Sequence, residues 1–162
     1  MSELKVDKIF PLNGLPAGAN GGGIIQIVMA EDTASNQTPD SASNTGWTDR
    51  TPTATITPQS ASNKILIVGS VGCISGTNNH TRIQLLRGST AIRIFNYYST
   101  TAYAPLHFGG WHLDSPATTS AVTYKYQTAA GSTAAHFMWN YQGPSATEPL
   151  RQAQMYLVEV AA

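Results

Sequence analysis

Apolar and polar residues alternate along the chain in short runs, separated by clusters of Gly, Pro, Ser, Thr and Asn. This is the pattern of strands and turns, because successive side chains of a β-strand point to opposite faces. The clearest run is 119–128, where Val122, Tyr124 and Tyr126 alternate with Thr123, Lys125 and Gln127 and predict one apolar and one polar face. Runs at 24–30, 53–57, 106–113, 134–142 and 152–160 are further predicted strands. The run 64–75 is rich in Ile, Leu and Val with interspersed Gly, which predicts a strand buried on both faces. Residues 81–87 and 90–96 flank Gly88 and Ser89. Gly followed by Ser is what a two-residue type II′ hairpin turn requires, since its first central residue has a positive φ. The polar stretch 31–51 predicts a long loop anchored by Trp47. No window carries an amphipathic helix with caps, although 128–135 suits one helical turn.

Eight or nine such strands predict an all-β fold: an antiparallel β-sandwich of jelly-roll or other Greek-key type. Parallel strands would need crossover helices, which the pattern does not offer. The 162 residues suffice for one domain of this kind, placed at 24–162. Residues 1–23 differ, dissolving into Pro, Gly and Asn, and read as an extended N-terminal attachment arm with a Gly-rich linker. Within it Leu4, Val6, Ile9 and Phe10 would dock as a short strand on another protein, the alternative being a solvated tail. No period of 20–50 residues repeats, which argues against a solenoid or propeller.

Composition narrows the function classes. Charged residues make up 11% of the chain, against about 25% in an ordinary soluble protein, so Ser, Thr, Asn and Gln must keep the surface wet. A formal net charge of zero gives no attraction toward nucleic acid or an anionic membrane. No run is long enough to span a bilayer, and the N-terminus lacks the pattern of a secretion signal. The expectation is a soluble product that stays inside the cell until something releases it, with no nucleic-acid partner and no membrane insertion.

Candidate chemistry is sparse. The single cysteine, Cys73, sits in an apolar run and reads as a small core side chain. His80, His107, His112 and His136 form no metal-binding pattern, and His107 and His112 on one strand would face opposite ways. A glycosidase needs two carboxyl groups across a substrate, and Asp114 with Glu148 or Glu159 would meet only by an accident of folding. Nucleophile elbows, zinc patterns and phosphate loops are absent from the sequence; Gly21 to Gly23 precede a strand and not a helix. We therefore expect no catalytic residues, no metal and no cofactor.

Aromatic residues are more informative. Phe95, Tyr97, Tyr98, Tyr103, Phe108 and Trp111 fall close together. Exposed Tyr and Trp offer a rigid apolar face with a polar tip to sugars or proteins, which makes Trp47, Tyr97, Tyr98 and Tyr103 candidate contacts for a receptor or partner. Phe95, Phe108 and Trp111 suit a core or a subunit interface. The C-terminal run sets Tyr156, Val158 and Val160 opposite Met155 and Leu157 and is apolar on both faces. A lone sandwich would leave one such face in water, so these three residues are candidates for an interface between copies.

Several segments carry a family likeness. The opening SELKVDKI, followed by a spacer into GGGIIQIV, and the later stretches ITPQSASNKILIVGSV, RIQLLRGSTAIR, LDSPATTSAVTYKYQ and MYLVEV resemble short tail-fibre and virion structural proteins of bacteriophages, especially phages of cyanobacteria and marine bacteria. The resemblance implies a virion protein with a trimeric head, similar to the jelly rolls of the tumour necrosis factor and complement families. Its N-terminal arm would hold a tail, baseplate or capsid protein, and its head would bind a host-surface glycan or protein. The absence of a long repetitive shaft leaves open the alternative of a capsid cement or decoration protein, a head fibre that stabilises the shell.

Overall fold

The computed structural model describes residues 23–32, 46–75, 79–100, 104–130, 138–139 and 153–162. Leu4, Val6, Ile9, Phe10, Tyr103, His136 and Glu148 lie outside the described residues. Among the described residues nine strands run in chain order: β1 (Ile24–Asp32), β2 (Thr48–Ile56), β3 (Lys64–Ser75), β4 (Asn79–Arg87), β5 (Thr90–Ser99), β6 (Ala104–Asp114), β7 (Val122–Ala130), β8 (Met138–Trp139) and β9 (Ala153–Val160). They form two antiparallel sheets. The first has the order β1-β9-β3-β6, with β8 also pairing to β3, and the second has the order β2-β7-β4-β5. The result is the two-layer, all-β sandwich that the alternation predicts.

Inward-facing residues of both sheets make one core. Ile65, Ile67 and Val71 of β3, Ile83 and Leu85 of β4, Phe108 of β6, Tyr124 and Tyr126 of β7 and Met155 and Leu157 of β9 are all buried in it. Phe108 sits at its centre, edge-on to Phe95 with ring centroids 5.1 Å apart and to Tyr126 at 5.4 Å. Tyr126 spans the core from the second sheet and meets the β3 backbone at Gly69, where a Cβ would collide with the phenol. The β4–β5 hairpin closes as predicted: Arg87 pairs with Thr90, Gly88 has φ 59°, and Ser89 is not among the residues of positive φ, which is the type II′ signature.

Three local expectations need correction. The loop foreseen at 31–51 is shorter, because β1 continues to Asp32 opposite Ala153, and β2 starts at Thr48 opposite Thr128. Polar composition hid these ladder positions. The helical turn foreseen from 128 is replaced at its start by strand: Thr128 pairs with both Thr48 and Ile83, and its buried hydroxyl accepts a hydrogen bond from Arg50 Nε at 2.7 Å. Finally, β3 is buried on one face only. Ile65, Ile67, Val71 and Cys73 enter the core, whereas Leu66 is half-buried and Val68 exposed on the outside.

Candidate interaction surface

The outward faces of the two sheets differ in chemistry. On the second sheet, threonines and charged or amide side chains bond to one another: Thr55 Oγ1 lies 2.8 Å from Thr123 Oγ1, Lys125 Nζ donates to Asp49 at 2.7 Å, and Gln127 Nε2 donates to Asp49 at 2.6 Å. Those bonds from Lys125 and Gln127 hold the Asp49 carboxyl below the usual carboxylate range. Such a face is satisfied in water.

The first sheet is apolar where the second is polar. Strand register places Met29, Tyr156, Val68 and Trp111 side by side in one row across β1, β9, β3 and β6. The next row is Ile27, Val158, Leu66 and Leu113. Trp111 is 72% exposed, Ile27 58%, Met29 55% and Leu113 45%. With strands about 4.8 Å apart and rows about 6.8 Å apart, the two rows cover about 250 Å² in projection, a contiguous apolar patch within the few hundred Å² that a monomer can carry. Polar residues frame one end, where Gln154 Nε2 donates to Glu31 at 3.0 Å and Ser70 Oγ lies 3.1 Å from His107 Nε2. The other end carries Ile24, Val160 and Lys64. An apolar centre with a polar rim is the anatomy of a protein interface.

Tyr156, Val158 and Val160 all lie on this face, half-buried, on the strand between β1 and β3. Ile27, Met29, Leu66, Val68 and Leu113 belong to the same face and were not singled out from the sequence. Their signal was present in β1, whose sequence IIQIVMAED is apolar on both alternations. Trp111 is not a core residue, in contrast to Phe108, but it does end one row of the candidate interface. Of the aromatic contact candidates, Tyr98 is 55% exposed on the second sheet. Tyr97 instead packs on the core, edge-on to Phe108 at 6.0 Å, and burial raises its hydroxyl pKa. Trp47 is half-buried under the Arg82 guanidinium, whose Cζ is 5.4 Å from the indole centroid. Trp47 and Tyr97 thus each pack within the chain, on Arg82 and on Phe108.

The carboxylates Asp114 and Glu159 flank Ile65 from β6 and β9, both on the core side. Asp114 accepts two hydrogen bonds from Arg87 Nη1 at 3.0 Å and one from the Tyr124 hydroxyl at 2.8 Å. Glu159 accepts from Gln26 Nε2 at 2.6 Å, Asn63 Nδ2 at 2.6 Å and the Gln59 backbone N–H at 2.7 Å. Burial raises the Glu159 pKa, but the hydrogen bonds from Asn63, Gln26 and the backbone outweigh it and bring it below the ordinary value. Both groups tie the fold together and neither faces a substrate cleft. His107 and His112 do point to opposite sides of β6, and among the described residues no three His, Cys, Asp or Glu side chains group around a point where one metal ion would fit.

The chain matches no protein-family model and no curated protein. Its physical chemistry, above all the apolar outer face of the first sheet, is what speaks to function.

Proposed function

We propose that the chain is a structural protein of a bacteriophage particle: a homotrimeric fibre or appendage, moored through residues 1–23 and presenting its sandwich head to the host surface. The observation that carries the self-association is the pair of apolar rows across β1, β9, β3 and β6, set against an outer face on the other sheet where Thr55, Thr123, Asp49, Lys125 and Gln127 bond to one another. Copies that share the apolar face remove it from water, at about 25 cal/mol per Å² buried. The strand orders β1-β9-β3-β6 and β2-β7-β4-β5 support a jelly-roll reading of the head, in which the chain passes repeatedly between sheets as in paired Greek keys. The Gly23 carbonyl accepts a hydrogen bond from the Ala161 N–H at 2.9 Å, so the head's two ends lie together beside the apolar face. The virion assignment itself draws on the sequence resemblance.

The test is the mass of the full-length protein in solution at micromolar concentration. Light scattering should give three times 17.2 kDa, and the double substitution Val68→Lys/Val158→Lys should give a monomer with an unchanged β spectrum by circular dichroism. A wild-type monomer, or a charged variant that still assembles, refutes the proposal. Imaging of intact particles then separates an appendage from the shell-cement alternative.

A further inference from the structure

On one open side of the sandwich the edge strands β5 and β6 belong to different sheets, and between them lies a cleft of about 260 Å³ lined by Arg93, Phe95, Gly109, Gly110, Trp111 and His112. Arg93 lies over Phe95, with Cζ 5.7 Å from the ring centroid. Among the described residues no carboxylate pairs with it. A guanidinium resting on an aromatic ring keeps its forked N–H donors for a bidentate carboxylate.

The two glycines shape the floor differently. At Gly110 a Cβ would come 2.5 Å from Phe108 Cζ and 3.2 Å from Phe95 Cζ, so the backbone packs directly on the rings. At Gly109 nothing lies within 4 Å of where a Cβ would be, and bare edge-strand backbone is open beside the exposed Trp111 indole. Flat apolar indole next to unblocked backbone suits a sugar ring, whose C–H face stacks while its hydroxyls meet polar groups. The volume is below the about 300–1,000 Å³ of drug-sized sites and admits roughly one ring.

We propose that this cleft binds a carboxylate-bearing sugar ring, such as a uronic acid unit of a surface polysaccharide. Arg93 takes the carboxylate, Trp111 stacks on the ring, and His112 bonds a hydroxyl. Trp111 also ends an apolar row on edge strand β6, so in the proposed trimer the bound sugar would lie at the junction between neighbouring protomers. The inference rests on the host-binding half of the proposed function and not on the trimer.

Full-length protein is titrated with a glucuronate-containing oligosaccharide, the matched glucose oligosaccharide and inorganic phosphate, followed by tryptophan fluorescence and saturation-transfer NMR. The acidic sugar should bind at least about tenfold more tightly than the neutral one, the factor expected for one charge-assisted hydrogen-bond pair. Arg93→Gln should erase that preference and leave the oligomer mass unchanged, whereas Trp111→Ala should weaken both sugars. Equal affinity for the two sugars, a preference that survives in Arg93→Gln, or phosphate binding as tight as the acidic sugar overturns the site. If neither sugar binds but the protein still adsorbs to host cells, the cleft is refuted and the appendage reading stands; sugar binding without adsorption refutes the appendage and supports the cleft.

Discussion

Glu159→Gln isolates the contribution of a buried carboxylate that no cation neutralises in the described structure. Oε1 accepts from the Gln59 N–H and from Asn63, and Oε2 accepts from Gln26, whose Nε2 also donates to the Thr57 carbonyl at 2.8 Å. A glutamine amide placed there keeps one acceptor and puts an NH2 against Gln26 Nε2. Gln26 can flip to accept, but it then loses Thr57. The substitution thus forfeits one hydrogen bond and the charge assistance of the others, while relieving the desolvation of the charge. With hydrogen bonds to a charged group at about 1.5–3 kcal/mol and neutral ones near 1, the net loss should be about 2 kcal/mol at pH 7. Because the folded pKa is depressed, the stabilisation is complete above the unfolded value of about 4.3 and is lost as the pH falls through the lower folded value. Urea denaturation at pH 7 and at intervals down to pH 3 measures this. The Val68→Lys/Val158→Lys background removes the contribution of assembly to apparent stability. A wild-type minus variant difference that stays flat with pH, or is below about 0.5 kcal/mol at pH 7, refutes the account.

Other substitutions probe separate points. Gly69→Ala should destabilise by about 1–3 kcal/mol, because Tyr126 is buried on every side and cannot yield to the new Cβ; a urea midpoint equal to wild type would show that the ring has room. Gly88→Ala should cost about 1 kcal/mol and Gly88→Asn less, since the site is sterically open and only the positive φ is at stake. Burial pushes the Cys73 thiol up to about 12, so a thiol reagent at pH 8 should leave the native protein unmodified and react in urea. Rapid labelling without denaturant would place Cys73 at the surface.

The sandwich was legible because alternation in a half-buried strand is a direct imprint of the fold. Val122, Tyr124 and Tyr126 could be assigned inward from three residues and their neighbours. Apart from the β4–β5 hairpin, strand partners were not legible, since pairing depends on contacts far apart in sequence, as between Asp32 and Ala153. The same limit hid most of the interaction surface. Tyr156, Val158 and Val160 betrayed themselves by an apolar run with no polar face, but the row from Met29 to Trp111 exists only once four distant segments lie in register. Glu159 was opaque for another reason: a carboxylate between Val158 and Val160 reads as an exposed charge, and its donors come from Gln26, Gln59 and Asn63, remote in the chain.

The proposed trimer sets how the apolar faces of three copies would meet. A two-fold axis through the face would set the whole of it against its own copy. Three sheets facing a common axis instead form a prism, and at each corner the β1 edge of one protomer adjoins the β6 edge of the next. Ile27 and Leu113 end one row at those two edges of the face, so a three-fold axis running along the strands brings them to the same level at each corner. The double variant Ile27→Cys/Leu113→Cys, oxidised and run under denaturing non-reducing conditions, should therefore yield covalent species up to three chains and none beyond, with Cys73 buried and silent. Each single variant should remain monomeric on the same gel, because neither edge meets its own copy in a prism. Crosslinking that stops at two chains, or a ladder that continues past three, would replace the three-fold arrangement with a two-fold or an open one.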